Sequence, residues 1–303
     1  MKLSVLIVTW NSAADIEACI DSIHFGSEFE VIAVDNASTD ATRDKLGRYH
    51  HLQLIANSSN LGYARANNQG INLATGEYVL LLNPDTRIEL GALDVLSRYL
   101  DEHPDIGAVA PRLISPDGST QYSIRSLPTA ASLFWELIGL SRLFPKSRIF
   151  GRWKMKYFDY EHSAEVDQPM ASCLMLRRTA LDSLVTSPSS LAPSPSSLVP
   201  CVMDDQFPMF FNDVDLSKRM ADAGWKTTYL PDARVVHRHG ASTRQVRPKM
   251  IRESHRSAFR YLRKHDHSGL FWLKSVVLLP LFELTSLLRV IAYRLRRHAQ
   301  APA

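Results

Sequence analysis

"LLLNPDTRIE", residues 80–89, runs three leucines straight into Asn83-Pro84-Asp85-Thr86. An apolar run that stops at a carboxylate beside a proline reads as a buried strand ending at the carboxyl edge of a parallel sheet, where open α/β folds place their ligands. Upstream, "LSVLIVT" (3–9), "EVIAVD" (30–35) and "LQLIA" (52–56) have the same strand character, and polar helix-forming stretches separate them. A helix to about His103 and a strand around 106–110 follow. This alternation predicts an α/β protein with a doubly wound parallel sheet. Ser12 to Asp15 predicts a capping box that opens a helix to about His24.

The 303 residues suffice for one large α/β domain with a smaller appendage, and 45% hydrophobic with 22% charged residues is ordinary for a globular chain. Cys19, Cys173 and Cys201 show neither metal-ligand spacing nor a disulfide framework, which points to a reducing cytoplasm. The opening "MKLSVLIVTWNS" is too short in its apolar part for a signal peptide and reads as the first strand. No feature calls for a nucleic-acid partner.

Downstream the pattern loosens. Asp117-Gly118 predicts a hairpin turn, residues 126–165 are aromatic and basic without a clear period, and "PMASCLMLRR" (169–178) reads as a strand. "SPSSLAPSPSSLVP" (187–200) is one seven-residue unit written twice, and a Pro/Ser tract of this kind predicts a disordered insert. "FFNDVDLSKRMADAGW" (210–225) runs into a helix that Gly224 should close, and "KTTYL" and "ARVVH" read as two further strands.

The net charge of +4 is unevenly spread. Residues 244–303 carry 13 Lys and Arg against 3 Asp and Glu, so the rest of the chain is net acidic. This tail starts as a helix with Arg252, Arg256, Arg260 and Arg263 on one face. It continues as the apolar "LFWLKSVVLLPLFELTSLLRVIAYRLRR" (270–297), which Lys274, Glu283 and Arg289 interrupt and Pro280 breaks. No uncharged apolar run reaches the length of a membrane span. The tail therefore predicts a segment lying in the membrane interface; a helix hairpin packed over the core is the alternative.

Three carboxylates ask for a common explanation. Asp35 and Asp85 end strands at one edge of the sheet, and Asp213 begins a helix. Each could be an ordinary loop or cap residue. No G-x-G-x-x-G or Walker lysine follows the first strand, which disfavours dinucleotide and P-loop enzymes. A nucleotide diphosphate neutralised by Mg2+ or Mn2+ on one or two carboxylates remains. His237 and His239 form an H-x-H pair, of which His237 suits the diphosphate side and His239 a structural role. The amide-rich stretch 67–72 suggests ligand contacts, since Asn is a poor helix former.

The order and spacing of "VLIVTWNSAADIEACIDSI", "EVIAVDNASTDAT", "NLGYARANNQGI", "YVLLLNPDT", "FFNDVDLSKRMADAGW" and "ARVVHRHGAST" resemble family 2 glycosyltransferases, nearest their rhamnosyltransferase-like branch. The resemblance covers residues 1 to about 245. It implies a GT-A fold over 1–243, with 1–111 as the nucleotide-binding half, 112–243 as the acceptor half and 244–303 as a basic helical tail. Thr9, Asn11, Asp35, Asn36 and Ser38 would line the base and ribose. Asn60, Gly62, Arg65 and Asn67 would meet the nucleotide from the other side. Asn83 and Asp85 occupy the D-x-D position, with Asp85 and His237 on the metal, Mg2+ or Mn2+. Asp213 would be the catalytic base, and Asn212, standing where the family has Glu, would bond the acceptor; Asp215 is a candidate to orient the acceptor, with a helix-start role as the favoured alternative.

The implied activity is metal-dependent, inverting sugar transfer from a nucleotide-sugar donor to a saccharide or lipid-linked acceptor in bacterial polysaccharide or cell-wall synthesis. The implied donor is dTDP-rhamnose first and a UDP-sugar second, and the implied location is peripheral, on the cytoplasmic face of the cell membrane. A nucleotidyltransferase and a non-catalytic nucleotide-sugar-binding membrane protein are the rival readings.

Overall fold

A computed structural model of the chain describes residues 1–26, 28–186, 201–238 and 247–299. The 187–200 repeat and His239 lie outside the described residues. The first half runs β1 (Leu3–Thr9), α1 (Ile16–Asp21), β2 (Phe29–Asp35), α2 (Thr42–Leu46), β3 (Leu52–Ala56), α3 (Tyr63–Leu73), β4 (Tyr78–Leu82), β5 (Thr86–Ile88), α4 (Ala92–Glu102) and β6 (Ile106–Ile114). The second runs β7 (Ile124–Arg125), α5 (Ala130–Leu137), α6 (Leu140–Leu143), β8 (Ala164–Glu165), β9 (Gln168–Pro169), β10 (Cys173–Arg177), α7 (Arg178–Thr186), α8 (Asn212–Asp222), β11 (Lys226–His237), α9 (Arg247–His265) and α10 (Phe271–Ala299).

The main sheet has the order β3-β2-β1-β4-β10-β6-β11-β5, with β8 paired to β11. β3, β2, β1 and β4 are parallel to one another, as the strand–helix alternation predicts. The expectation of an all-parallel sheet is corrected by β10, which is antiparallel to both β4 and β6. The leucine run of β4 is continuous because both faces of the sheet are covered. Leu80 and Leu82 point into the layer of α1 and α4, packed with Ile16, Cys19, Leu93 and Leu96. Val79 and Leu81 point into the opposite layer with Ala64, Ile71, Leu181 and Leu216.

Other expectations change in detail. "KTTYL" and "ARVVH" form one strand, β11, with a register shift between Leu230 and Arg234. Gly224 does close α8: it sits at φ +85°, its N–H donates to Ala221, and the Trp225 N–H reaches back to Met220. Gly118, at φ +83°, forms the expected turn. The capping box at Ser12 does not form. The Ser12 hydroxyl lies against Trp10, its N–H donates to Thr42 at 2.8 Å, and α1 starts only at Ile16 without a side-chain cap.

The C-terminal segment is a helix hairpin, with one correction. α10 continues through Pro280. One side of the hairpin packs on the core, where Ala258, Tyr261, Leu262, Leu278 and Phe282 meet Leu133, Phe207, Phe211 and Val214. The other side of α10 is bare, with Trp272, Leu273, Val276, Leu284 and Leu288 all more than half exposed. Against expectation, Phe271–Leu295 is by length and composition a helix long and apolar enough to cross a membrane, because Lys274, Glu283 and Arg289 are too few to offset its leucines.

Candidate active site

The parallel strands β1, β2 and β4 all end at one edge of the sheet. Their loops open on a cavity of about 530 Å3, which α3, β7, α5, α8, α9 and α10 also line. The chain turns sharply after β4: Asn83 donates its N–H to Ser172 at 2.9 Å, and Thr86 caps the Asn83 carbonyl with its hydroxyl at 2.6 Å. β5 then pairs antiparallel with the end of β11, placing Thr86 opposite His237. That register carries His237 to Asp85, with Nε2 3.4 Å from the carboxylate. Gln121 Nε2 donates to the His237 carbonyl at 2.7 Å, and its Oε1 accepts from the ring at Nδ1 at 2.9 Å, which turns Nε2 toward Asp85.

Across the cavity, α8 begins after Phe211, a bulky residue at φ +66°, where only a tightly constrained loop holds such a side chain. Asp213 stands in the first turn of α8. Its Oδ2 accepts from Gln168 Nε2 at 3.1 Å and its Oδ1 from the Val214 N–H at 2.9 Å. Burial pushes the Asp213 carboxyl above the usual range, and the charge of Arg125 only partly offsets it. A carboxylate with raised proton affinity at a cavity wall is suited to taking a proton from a hydroxyl.

Of the residues picked out from sequence, Thr9, Asn36, Asn60, Gly62, Asn83, Asp85, Asn212, Asp213 and His237 line the cavity together. Gly62, at φ +87°, could not be replaced without strain: a Cβ there would meet the Pro208 carbonyl at 2.8 Å. Asn36 donates to the Gly62 carbonyl at 3.1 Å and so holds the loop before α3.

The others do not line the cavity. Asp35 is fully buried and held by Thr9, the Ser38 N–H and Arg43, the last at 2.5 Å. Burial opposes its ionisation, but those bonds win and its carboxyl is held below the usual range. Asn11 and Ser38 bond each other's loops, Asn11 N–H to Ser38 Oγ at 2.9 Å and Thr39 N–H to Asn11 Oδ1 at 2.8 Å. Arg65 pairs with Asp205 at 2.8 Å.

Asn67 bonds its own helix at Tyr63, and Asn68 clamps both backbone groups of Met203 at 2.8 Å, so the amide-rich stretch is fastened to protein. Asn212 spends its amide on the Met209 carbonyl at 2.9 Å. Asp215, expected at the acceptor, is turned away because it has other partners, Arg219 of its own helix at 2.9 Å and, from α9, Lys264 at 2.6 Å and His265 at 2.7 Å.

The residues sequence reasoning missed are Trp10, Arg125, Glu136, Trp153, Lys154, Gln168, His255 and Arg289. All but Gln168 line the cavity directly. The concentration of aromatic and basic residues at 126–165 was the one available signal.

The residues present fit a divalent cation shared with a substrate diphosphate. Asp85 and His237 offer one oxygen and one nitrogen ligand, and the Gln121 bond orients the imidazole as outer partners of metal ligands do. Among the described residues no group of three or more His, Cys, Asp or Glu side chains gathers to hold a metal, so the remaining ligands would come from the substrate.

Comparison with known proteins gives a consistent result. The profile for glycosyl transferase family 2 matches residues 4–182. An N-acetylglucosaminyl-diphospho-decaprenol L-rhamnosyltransferase of Mycobacterium tuberculosis is 27% identical over 285 residues, covering 88% of this chain and 85% of that one. A mannosyltransferase of Pyrobaculum calidifontis, solved with GDP-Man and Mn2+, superposes with TM-score 0.56 at 18% identity over 100% of this chain and 76% of its own. Staphylococcus aureus TarS 1-349, solved with UDP, superposes with TM-score 0.52 at 18% identity over 85% of this chain and 65% of its own. The mixed sheet with its C-terminal helices is thus of the GT-A type.

Proposed function

The chain belongs to glycosyl transferase family 2 and acts on nucleotide sugars, and from that premise we propose that it transfers a rhamnosyl group from dTDP-rhamnose, or failing that a hexosyl group from a UDP-sugar, to a lipid-linked acceptor in cell-wall or polysaccharide synthesis. The observation that carries the reading is one cavity with Asp85 and His237 on one wall and Asp213 on the other. The mycobacterial relative, whose name specifies a lipid-diphosphate acceptor and an L-rhamnosyl group, supports the choice of substrates. The family match and Asp213 favour sugar transfer over a nucleotidyltransferase and over a module without turnover.

The donor would lie over the ends of β1, β2 and β4, with Thr9, Asn36, Asn60 and Gly62 along the nucleotide. Asp85 and His237 would hold Mn2+ or Mg2+, and an imidazole ligand favours Mn2+. When bound, the cation stabilises the charge gathering on the leaving diphosphate. Asp213 takes the proton of the acceptor hydroxyl as it attacks the anomeric carbon. Gln168 and the Val214 N–H fix the carboxylate for this step. The two other carboxylates of the cavity are engaged, Asp85 beside His237 and Glu136 with Lys154. Among the described residues that leaves no second carboxylate free to act as a nucleophile, so displacement is direct and the anomeric centre inverts.

Residues 1–243 would form the transferase unit and 244–303 its attachment to the cytoplasmic face of the cell membrane, through basic side chains and the bare face of α10.

The test is a thermal-shift panel of dTDP-rhamnose and UDP-sugars with and without Mn2+. A donor at 100 times its dissociation constant adds about 2.7 kcal/mol to stability. A Mn2+-dependent shift with dTDP-rhamnose is expected, and Asp85→Ala should abolish that dependence. A panel in which no nucleotide sugar shifts the wild-type protein would defeat the reading.

A further inference from the structure

Beyond Asp213 the cavity has a second half that the donor chemistry does not use. Its wall comes from β7, α5, the turns near residue 153 and the C-terminal hairpin. At its centre is Glu136, a buried carboxylate that accepts from Lys154 at 2.6 Å and from the Ser141 hydroxyl, with Arg289 4.0 Å away. Arg142 lies close enough for its charge to act on both Lys154 and Arg289, and Arg125 acts on Lys154 from the Asp213 side. Two cations, Lys154 and Arg289, therefore flank one carboxylate, and two more, Arg125 and Arg142, stand near those cations. Arg125 and Arg142 make no ion pair among the described residues.

Neutralising Glu136 needs a single partner, and Lys154 supplies it. The further cations repel one another: after burial, it is neighbouring arginines that push the proton affinity of Lys154 and of Arg289 down. Such crowding in a half-buried place is unfavourable until an anion joins it.

Two independent observations point the same way. The first is the Trp153 indole, whose N–H is a buried donor without a hydrogen-bond partner and whose side chain lines this cavity. A buried donor of this kind is usually answered by a water molecule or by a ligand. The second is the build of α10. Phe282 and Arg289, two turns apart, face the cavity, while Trp272, Leu273, Val276, Val277, Leu284 and Leu288 are exposed on the same helix. An anion pocket at the margin of a bare apolar surface is what a long-chain phosphate ester needs, with its head inside and its chain outside.

We infer that Arg125, Lys154 and Arg289, with Arg142 beside them, form a subsite for the diphosphate of a prenyl-diphosphate-linked acceptor, whose chain leaves along the bare face of α10. This rests on the glycosyl-transfer reading and deepens it by placing the acceptor's anionic part. Asp213 and Arg125 are neighbours, so a sugar attached to that diphosphate reaches the base directly.

The test measures binding to the full chain in detergent micelles, by tryptophan fluorescence, in EDTA so that the Asp85 side takes no metal-bound diphosphate. The probes are farnesyl diphosphate, farnesyl monophosphate, farnesol and inorganic pyrophosphate. Farnesyl diphosphate should bind best. Arg142→Gln and Arg289→Gln should each weaken it about tenfold or more, the loss expected for one charge-assisted contact. Glu136→Gln removes the internal competitor and should tighten it, an effect that a merely structural role for these side chains does not produce. Mn2+-dependent nucleotide-sugar binding by each variant checks that it is folded. Equal farnesyl diphosphate affinity in wild type, Arg142→Gln and Arg289→Gln would overturn the subsite. Inorganic pyrophosphate binding as tightly as farnesyl diphosphate would overturn its assignment to a lipid. A wild-type protein that binds farnesyl diphosphate but no nucleotide sugar would instead overturn the transferase reading and leave the subsite standing.

Discussion

Replacing Asp215 by Asn should weaken the fastening of the C-terminal hairpin to α8 yet leave the hairpin docked below the melting temperature, and so leave the chemistry in place. The carboxylate is fully buried and holds three partners, Arg219 from its own helix and Lys264 and His265 from α9. Burial alone would raise its pKa. The His265 bond and the charges of Arg219 and Lys264 outweigh it and bring the value from 3.8 down to about 2. A depressed folded-state pKa contributes stability above the unfolded value, and that stability is lost as pH falls through the folded one. Here the contribution is about 2 kcal/mol, lost between roughly pH 5 and pH 2.

Removing the charge at neutral pH costs more, because the partners stay buried. Breaking a buried pair typically costs about 3–5 kcal/mol. Lys264 keeps Asp204 at 2.7 Å and Arg219 keeps the Val202 carbonyl, so the lower end, about 3 kcal/mol, applies. That corresponds to a fall in Tm of roughly 5–10 °C. Scanning fluorimetry from pH 7 to pH 3 should show this loss, together with a flatter acid limb in the variant. Turnover well below both melting temperatures should stay near wild type. An unchanged Tm with lost turnover would refute the argument and return Asp215 to the acceptor.

Three further outcomes follow from the site and the hairpin. Asp213→Asn should lower turnover by about 10²–10⁴-fold with donor affinity nearly unchanged, as isothermal titration would show; a matching loss of donor affinity would remove it from the role of base. Gln121→Ala should weaken Mn2+ binding by about 10–100-fold by releasing the His237 ring, and unaltered Mn2+ affinity would mean the imidazole is not a ligand. Changing Trp272, Leu273 and Val276 to Ser should reduce flotation with anionic liposomes while leaving Tm in place, and undiminished flotation would take the membrane role away from this face of α10.

What could be read in advance follows from where the signals lie. β1 to β4 were legible because each is a short apolar run bounded by polar loops, and Asp85 and Asp213 because each sits in a compact local pattern. The pairing of Asp85 with His237 depends on an antiparallel register between segments about 150 residues apart, which no local window contains. Gln121 and Gln168 are single glutamines whose importance comes only from what they touch. "CLMLR" has the same composition whether it runs with or against β4, so its direction was invisible. The tail is apolar on nearly all sides, and a helix of that kind does not declare which leucines turn inward. Leu278 and Val290 are buried, whereas Leu284 and Leu288 are not.

The place of β10 also bears on how the chain can be made. β6 is synthesised early, yet both its neighbours come later: β10 about sixty residues on and β11 more than a hundred. Until β10 arrives, β4 and β6 present two open inner edges of Leu, Val and Ile to anything nearby. Emergence from the ribosome therefore leaves the first half waiting with unpaired strands, a stage at which long-range sheets are slow to close and prone to aggregate. An excised fragment ending near residue 111 would hold that state permanently. The nucleotide-binding half, tidy as it looks on paper, is not a module that can be cut out and grafted elsewhere.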